Sequence, residues 1–276
     1  MTQYLEKKYV QKNSIEKRDY QVNLATQAIK ENCIVVLPTG LGKTAIALHV
    51  MAEYLSKGTG GVLFLAPTRV LVNQHYEFLK NNLTLDDISL ITGEDTIQKR
   101  TKLWNNSVIC ATPEIARNDL DRGIVTPEQF TLVIFDEVHR TVGDYAYSGI
   151  AQRFEDSSAR ILGMTATLPS EKEKATEILT RLKIASVAER TEDSLDVKPY
   201  TQETNTEWIN VELPDELKAI QTLLKSSLDQ RYDTLRENGI KLASQQSLSA
   251  LLRIRQFVLN TNRRSAKPLF TAIRIH

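Results

Sequence analysis

Along the first two thirds of the chain, short apolar runs alternate with longer stretches whose apolar positions recur every three to four residues. The short runs are CIVVL at 33–37, GVLFLA at 61–66, ISLIT at 88–92, VICAT at 108–112, TLVIFDE at 131–137 and RILGMTAT at 160–167. They are rich in valine, isoleucine and leucine without strict alternation, the pattern of strands covered on both faces. Helical spacing fills 43–56, 69–80, 96–104 and 145–154 between them. Strand and helix in turn predict an α/β fold, a parallel sheet built from right-handed crossovers. Such sheets bind ligands at the carboxyl ends of their strands.

Beyond Pro169 the pattern changes. A helix is expected over 171–182 and a further strand at Ala185–Ala188. Residues 189–207 are polar and hold Pro199, which suggests a surface-running connector. EWINVEL at 207–213 reads as a strand, and Pro214 suits the first turn of a following helix. Leu217, Ile220, Leu224 and Leu228 fall on one face of that helix, and a second long helix is expected over 242–259. The expected division is a motor-sized domain over 1–212 and the start of a mainly helical, basic domain over 213–276.

Composition adds few constraints. The 276 residues are 41% apolar and 25% charged, enough for a full core, and the net charge of +1 excludes a globally basic surface. Cys33 and Cys110 lie inside apolar runs and read as buried thiols rather than as a disulfide or metal pair. No run approaches the ~20 apolar residues that cross a bilayer, and the N-terminus lacks the apolar core of a signal peptide. A soluble, cytoplasmic protein is expected.

Two clusters carry chemistry. The first apolar run leads straight into Pro38, Thr39, Gly40, Leu41, Gly42, Lys43 and Thr44, and then into a helix. Glycines let a backbone curl so that its N–H groups surround phosphate oxygens, and a helix N-terminus adds partial positive charge. Lys43 would reach the β- and γ-phosphates of ATP and the Thr44 hydroxyl would bind Mg²⁺. Leu37 stands where the general pattern has its first glycine. The second cluster, Asp136 and Glu137, ends the run TLVIF. Asp136 is placed to hold Mg²⁺ and Glu137 to orient and deprotonate an attacking water.

These residues resemble motifs I and II of superfamily-2 helicases, and other pieces follow in that family's order. Arg18, Asp19, Tyr20 and Gln21 resemble the adenine-recognition element. Ala66 to Arg69 with Gln74 resemble motif Ia; Thr92, Gly93 and Ala111 to Glu114 resemble motif Ib; Thr165 to Thr167 resemble motif III. DEVHRTVGDYAY, ATPEIARNDL, RTEDSLDVKPY and EWINVELP are similar to the archaeal Hef family of fork-acting DNA helicases. Its relatives are the Fanconi-anaemia M translocases, with Dicer and the viral-RNA sensors as more distant cousins. Val138 and Thr165 depart from the family's usual Ala and Ser without removing a catalytic group.

The resemblance implies a RecA-like motor domain that couples hydrolysis of ATP with Mg²⁺ to movement on branched DNA, with a double-stranded-RNA-dependent ATPase as the alternative. Tyr20 would stack on adenine and Gln21 would bond its edge, with Arg18 beside them. Thr68, Arg69, Thr92, Gly93, Thr112 and Pro113 would contact nucleic-acid phosphates. His139 and Arg140, with Thr165 and Thr167, would link the Mg²⁺ site to a second motor domain. Residues 238–276 hold Lys241, Arg253, Arg255, Arg263, Arg264, Lys267 and Arg274 with no acidic residue, and resemble the start of a DNA-gripping helical insert. No Gln-x-x-Gly-Arg-x-x-Arg element occurs in the sequence. A second motor domain carrying transition-state arginines, and in this family a nuclease domain, are therefore expected outside residues 1–276. The fragment alone should turn ATP over slowly.

Overall fold

The computed structural model describes residues 3–58, 60–141, 145–201 and 211–237, with 209, 240, 251 and 256 as isolated positions. The chain divides into two compact units, Met1–Glu203 and Thr204–His276.

The first unit is an α/β sandwich around a parallel sheet. Among the described residues its strands are β1 (Cys33–Val36), β2 (Gly61–Leu65), β3 (Ile88–Ile91), β4 (Val108–Ala111), β5 (Phe130–Phe135), β6 (Arg160–Thr165) and β7 (Ser186–Glu189). Their order across the sheet is β3-β4-β2-β5-β6-β1-β7. The helices are α1 (Asp19–Lys30), α2 (Lys43–Lys57), α3 (Arg69–Asn82), α4 (Ile97–Leu103), α5 (Pro113–Asp121), α6 (Tyr145–Arg153) and α7 (Lys172–Arg181).

Neighbouring residues of each central strand serve opposite layers. Cys33, Val35, Val62, Phe64, Cys110, Leu132 and Ile134 pack with Leu24, Ile46, Val50, Val72 and Leu79 of α1, α2 and α3. Ile34, Val36, Leu63, Leu65, Ile109, Val133 and Phe135 pack with Ala116, Leu120, Tyr147, Ile150 and Ile178 of α5, α6 and α7. This is why the runs read as continuously apolar: each side chain, on whichever face, meets a helix layer. At Gly163 in β6 an added Cβ would lie 2.8 Å from Cγ1 of its neighbour Ile34 in β1, which fills the space beside the glycine.

The six long runs and the further strand near 185–188 appear as predicted, within a residue or two at their ends. Helix α5 is additional, a short helix started by Pro113 at its first turn. The connector after β7 is not confined to the surface. Val197 is completely buried in the core, and a 3-10 turn at Lys198–Tyr200 packs beside it.

In the second unit α8 spans Asp215–Glu237. Residues 209 and 211–213 of EWINVEL form no strand, and Ile209 and Val211 are exposed. Leu217, Ile220 and Leu224 are about half exposed, while the helix buries Tyr232 and Leu235 instead. Most of the helix expected over 242–259 and all of the listed basic side chains of 238–276 lie outside the described residues.

Candidate nucleotide and nucleic-acid site

Because the strands are parallel, their carboxyl ends share one rim. The glycine loop leaves β1 there and the acidic pair leaves β5, with β6 between them. Two interstrand spacings, about 10 Å, separate the two backbones at that rim. That gap is the width over which a lysine and two carboxylates converge on a triphosphate.

Gly40 and Gly42 hold φ of 84° and 81° in the loop, a left-handed conformation that side chains resist. Gly42 caps α2, and Lys43 and Thr44 open the helix. Any Cβ on Gly42 would lie 2.5 Å from Gln21 Nε2, so the loop and the segment Arg18 to Gln21 are in direct contact. Lys43 Nζ donates to Leu37 O at 2.9 Å. Burial lowers the Lys43 pKa, while Glu137 and then Asp136 pull it back up through space. The ammonium thus lies in the field of both carboxylates.

Gln21 is buried, and its amide donates to Leu41 O at 3.1 Å and to Tyr20 Oη at 3.3 Å. Its Oε1 is buried without a partner. A buried acceptor left unsatisfied costs about 1–3 kcal/mol, which an adenine amino group would recover. The orphaned oxygen, the glycine loop and Lys43 together fit an adenine nucleotide. Tyr20 differs from its expected part. It is fully buried, its hydroxyl donates to Leu41 O at 2.7 Å, and its ring packs on Tyr200. An aromatic ring enclosed by protein has no face for a base, so Tyr20 braces the phosphate loop. Arg18, next to it, bonds Glu16 and keeps 29% of its side chain accessible.

Asp136 is held at three atoms. Its N–H donates to Leu65 O at 2.9 Å, its carbonyl accepts from Tyr147 Oη at 2.7 Å, and its Oδ2 meets His75 Nε2 at 2.8 Å. A carboxylate only accepts, so Nε2 of His75 carries the hydrogen. His75 was not foreseen as a site residue. The available signal was an imidazole on the buried stripe of α3 between Val72 and Leu79. Glu137 takes φ of 53°, a left-handed backbone rare for a residue with a long side chain, which turns its carboxylate out of the strand direction.

His139 Nδ1 lies 3.2 Å from Glu137 Oε2 and 3.0 Å from Thr165 Oγ1. The Thr165 hydroxyl donates to Thr167 O at 2.8 Å, so its oxygen accepts from the imidazole. The expected linking residues His139, Thr165 and Thr167 therefore form one chain of bonds, with Glu137 Oε2 beside its imidazole end. The Arg140 side chain lies outside those described.

The residues expected to touch nucleic acid follow β2, β3 and β4 on the same rim. Thr68 caps α3 by accepting from Leu71 N, and Thr112 precedes Pro113 at the start of α5. Thr92 binds Asp95 through both its N–H and its hydroxyl. Arg69 pairs with Glu94 at 2.8 Å, and its guanidinium approaches Gly93. Arg69, Thr92 and Thr112 line a shallow hollow of about 160 Å³. Two helix starts and one exposed arginine around a hollow suit phosphate contact without base reading.

Residues 18–175 match the family model of DEAD/DEAH box helicases. A Methanocaldococcus jannaschii protein named as an ATP-dependent RNA helicase is 40% identical over 240 residues, 86% of this chain and 31% of that protein. The ATP-dependent DNA helicase MPH1 of Candida albicans is 34% identical over 240 residues, 85% of this chain and 20% of that one. The crystal structure of the Pyrococcus furiosus Hef helicase domain superposes with a TM-score of 0.69 at 34% identity, covering 94% of this chain and 58% of that one. The chain thus spans a third or less of the curated relatives it matches.

Proposed function

Since the chain belongs to the DEAD/DEAH box helicase family and has the fold of the Hef helicase domain, we propose that it is the first motor domain of an ATP-driven translocase or helicase on branched DNA. The observation that carries this reading is that the glycine loop with Lys43 and the acidic pair Asp136 and Glu137 leave β1 and β5 at one rim of the sheet, with a single strand between them. Gln21 would accept from the adenine amino group. Lys43 would exchange the Leu37 carbonyl for the β- and γ-phosphates. Thr44 and Asp136 would hold Mg²⁺, which supplies charge neutralisation at the phosphates when bound. Among the described residues no cluster of three or more His, Cys, Asp or Glu could hold a metal by itself. An Mg²⁺ ion there would take one carboxylate, one hydroxyl, water and substrate oxygens. Glu137, aimed by its backbone and by His139, would orient the attacking water and take its proton. The His139–Thr165–Thr167 chain would report the state of the γ-phosphate to a second motor domain.

That second domain would supply the arginines that neutralise the transition state. Their absence costs on the order of 10³ or more in rate, so residues 1–276 alone should bind ATP and hydrolyse it slowly. The branched-DNA substrate is favoured by the Hef fold and by the name of the yeast relative. The archaeal relative's name favours the alternative, a double-stranded-RNA-dependent ATPase. ATP turnover of the full-length protein with forked DNA, plain duplex DNA and duplex RNA separates the two. Forked DNA should stimulate most; stronger stimulation by duplex RNA would establish the alternative. Lys43→Ala should weaken nucleotide binding, and Glu137→Gln should retain ATP unhydrolysed. ATPase activity indifferent to every nucleic acid would overturn the motor reading.

A further inference from the structure

Arg18 is a long cation near the start of α1, and a side chain of that kind loses substantial rotamer freedom when it is fixed. Something must hold it if it is to serve a ligand. Glu16 does so on one side, with Oε2 3.2 Å from both Nε and one terminal nitrogen, but Glu16 is itself largely exposed. The second support comes from far along the sequence. After β7, Arg190 pairs with Asp196 at 3.0 Å and Val197 enters the core. The 3-10 turn Lys198–Tyr200, with Pro199 in its first turn, then brings the ring of Tyr200 against the adenine-recognition segment. The ring centroid lies 5.5 Å from that of Tyr20, at 59°, and 5.3 Å from the Arg18 guanidinium carbon. Arg18 completes the group by donating to Tyr20 Oη at 3.4 Å.

Tyr200 lies outside the span matched by the helicase family model, which ends at residue 175. It closes the stretch RTEDSLDVKPY, which is similar to the Hef family but carries no nucleotide-binding motif. Yet it touches two of the four residues of the adenine-recognition segment, and the third, Gln21, carries the orphaned acceptor. A planar guanidinium resting on an aromatic ring is held by both charge and dispersion, and it keeps its opposite face for a second planar group.

We propose that Tyr200 is a positioning residue for the nucleotide base: its ring orients Arg18 beside Gln21 so that the two present a preformed site to adenine. This rests on the ATP-binding role given above. The ring contacts of Tyr200 are with Tyr20 and Arg18, and the hydroxyl of Tyr20 that braces Leu41 belongs to α1, which the wider core fixes. Its effect therefore falls on the base and spares the phosphates.

Calorimetric titration of the 276-residue chain in Mg²⁺, with ATP and with inorganic tripolyphosphate, tests this. Tyr200→Leu should weaken ATP binding about five- to tenfold and leave tripolyphosphate within about twofold, whereas Tyr200→Phe, which keeps the ring, should restore ATP binding. Circular dichroism melts accompany each variant. Unchanged ATP affinity in Tyr200→Leu, or equal weakening toward both ligands, overturns the proposal while leaving the motor reading intact. A wild-type chain that binds tripolyphosphate as tightly as ATP has no base site, and both readings then fall.

Discussion

Replacing His75 with leucine removes the imidazole N–H that Asp136 Oδ2 accepts at 2.8 Å. Both side chains are buried, at 11% and 8% accessibility, so water cannot take the lost place. A hydrogen bond to a charged group contributes about 1.5–3 kcal/mol, and an acceptor stranded in a buried site forfeits all of it. The same bond fixes which way the carboxylate faces. Loss of such an outer support lowers metal affinity about 10- to 100-fold, the same range when expressed as free energy. In a unit of this size, about 1.5–3 kcal/mol lowers Tm by roughly 3–12 °C. The assay is nucleotide binding across a Mg²⁺ series, with melting curves taken without metal. His75→Leu should need about tenfold more Mg²⁺ or beyond for half-saturation, and His75→Gln, whose amide still donates, should recover part of the loss. A folded His75→Leu chain with a wild-type Mg²⁺ midpoint would refute the reasoning, even with a reduced Tm, because His75 would then be packing only.

Asp119 is fully buried, with Arg100 bound to both carboxylate oxygens at 2.8 and 2.9 Å and Trp104 Nε1 donating at 2.8 Å. Asp119→Ala should cost about 3–5 kcal/mol, read as a Tm loss of roughly 10 °C or more in thermal denaturation. Burial, with Lys7 and Lys17 nearby, pushes the His49 pKa down to about 4. The folded state then stays neutral while the unfolded chain protonates near pH 6.5, so His49's contribution is complete above about pH 6.5 and is lost as pH falls toward 4. Denaturant titrations of His49→Leu should show a shallower decline than wild type over that window, by on the order of 3 kcal/mol in total. Burial also pushes the Cys110 thiol up to about 12 and raises Cys33. A thiol reagent at pH 8 should label neither in the folded protein and both after unfolding.

The sheet was readable because two-sided burial leaves an unmistakable mark, seen in CIVVL at 33–37 and LVIF at 132–135, where every position is apolar. The glycine loop and the acidic pair were equally open to reading, since their chemistry requires a strand before and, for the loop, a helix after. What stayed hidden depended on partners distant in the chain. His75 looks like one more position on the stripe of α3 until Asp136, 61 residues away, is placed against it. Tyr20 suggested a base-stacking residue only through the resemblance of Arg18 to Gln21 to the adenine-recognition element. The ring of Tyr200, which covers it, lies in a stretch whose polarity pointed to a surface connector. At EWINVEL the described positions, 209 and 211–213, form no strand although the alternation is real. The short α5 was missed because nine residues opened by Pro113 carry too little periodicity to register.

The place of β1 in the sheet has a consequence for biosynthesis. This strand, which leads into Lys43, pairs only with β6 and β7, so Cys33 waits for Leu162, 129 positions further on. At about 5–20 residues per second, a ribosome needs roughly 6–26 s to deliver that neighbour. Throughout that interval the nascent chain carries an apolar strand with both edges open, a target for chaperones and for misassociation. The triphosphate cradle is thus among the last parts of the domain to be completed, and ATP cannot assist the folding steps that precede it.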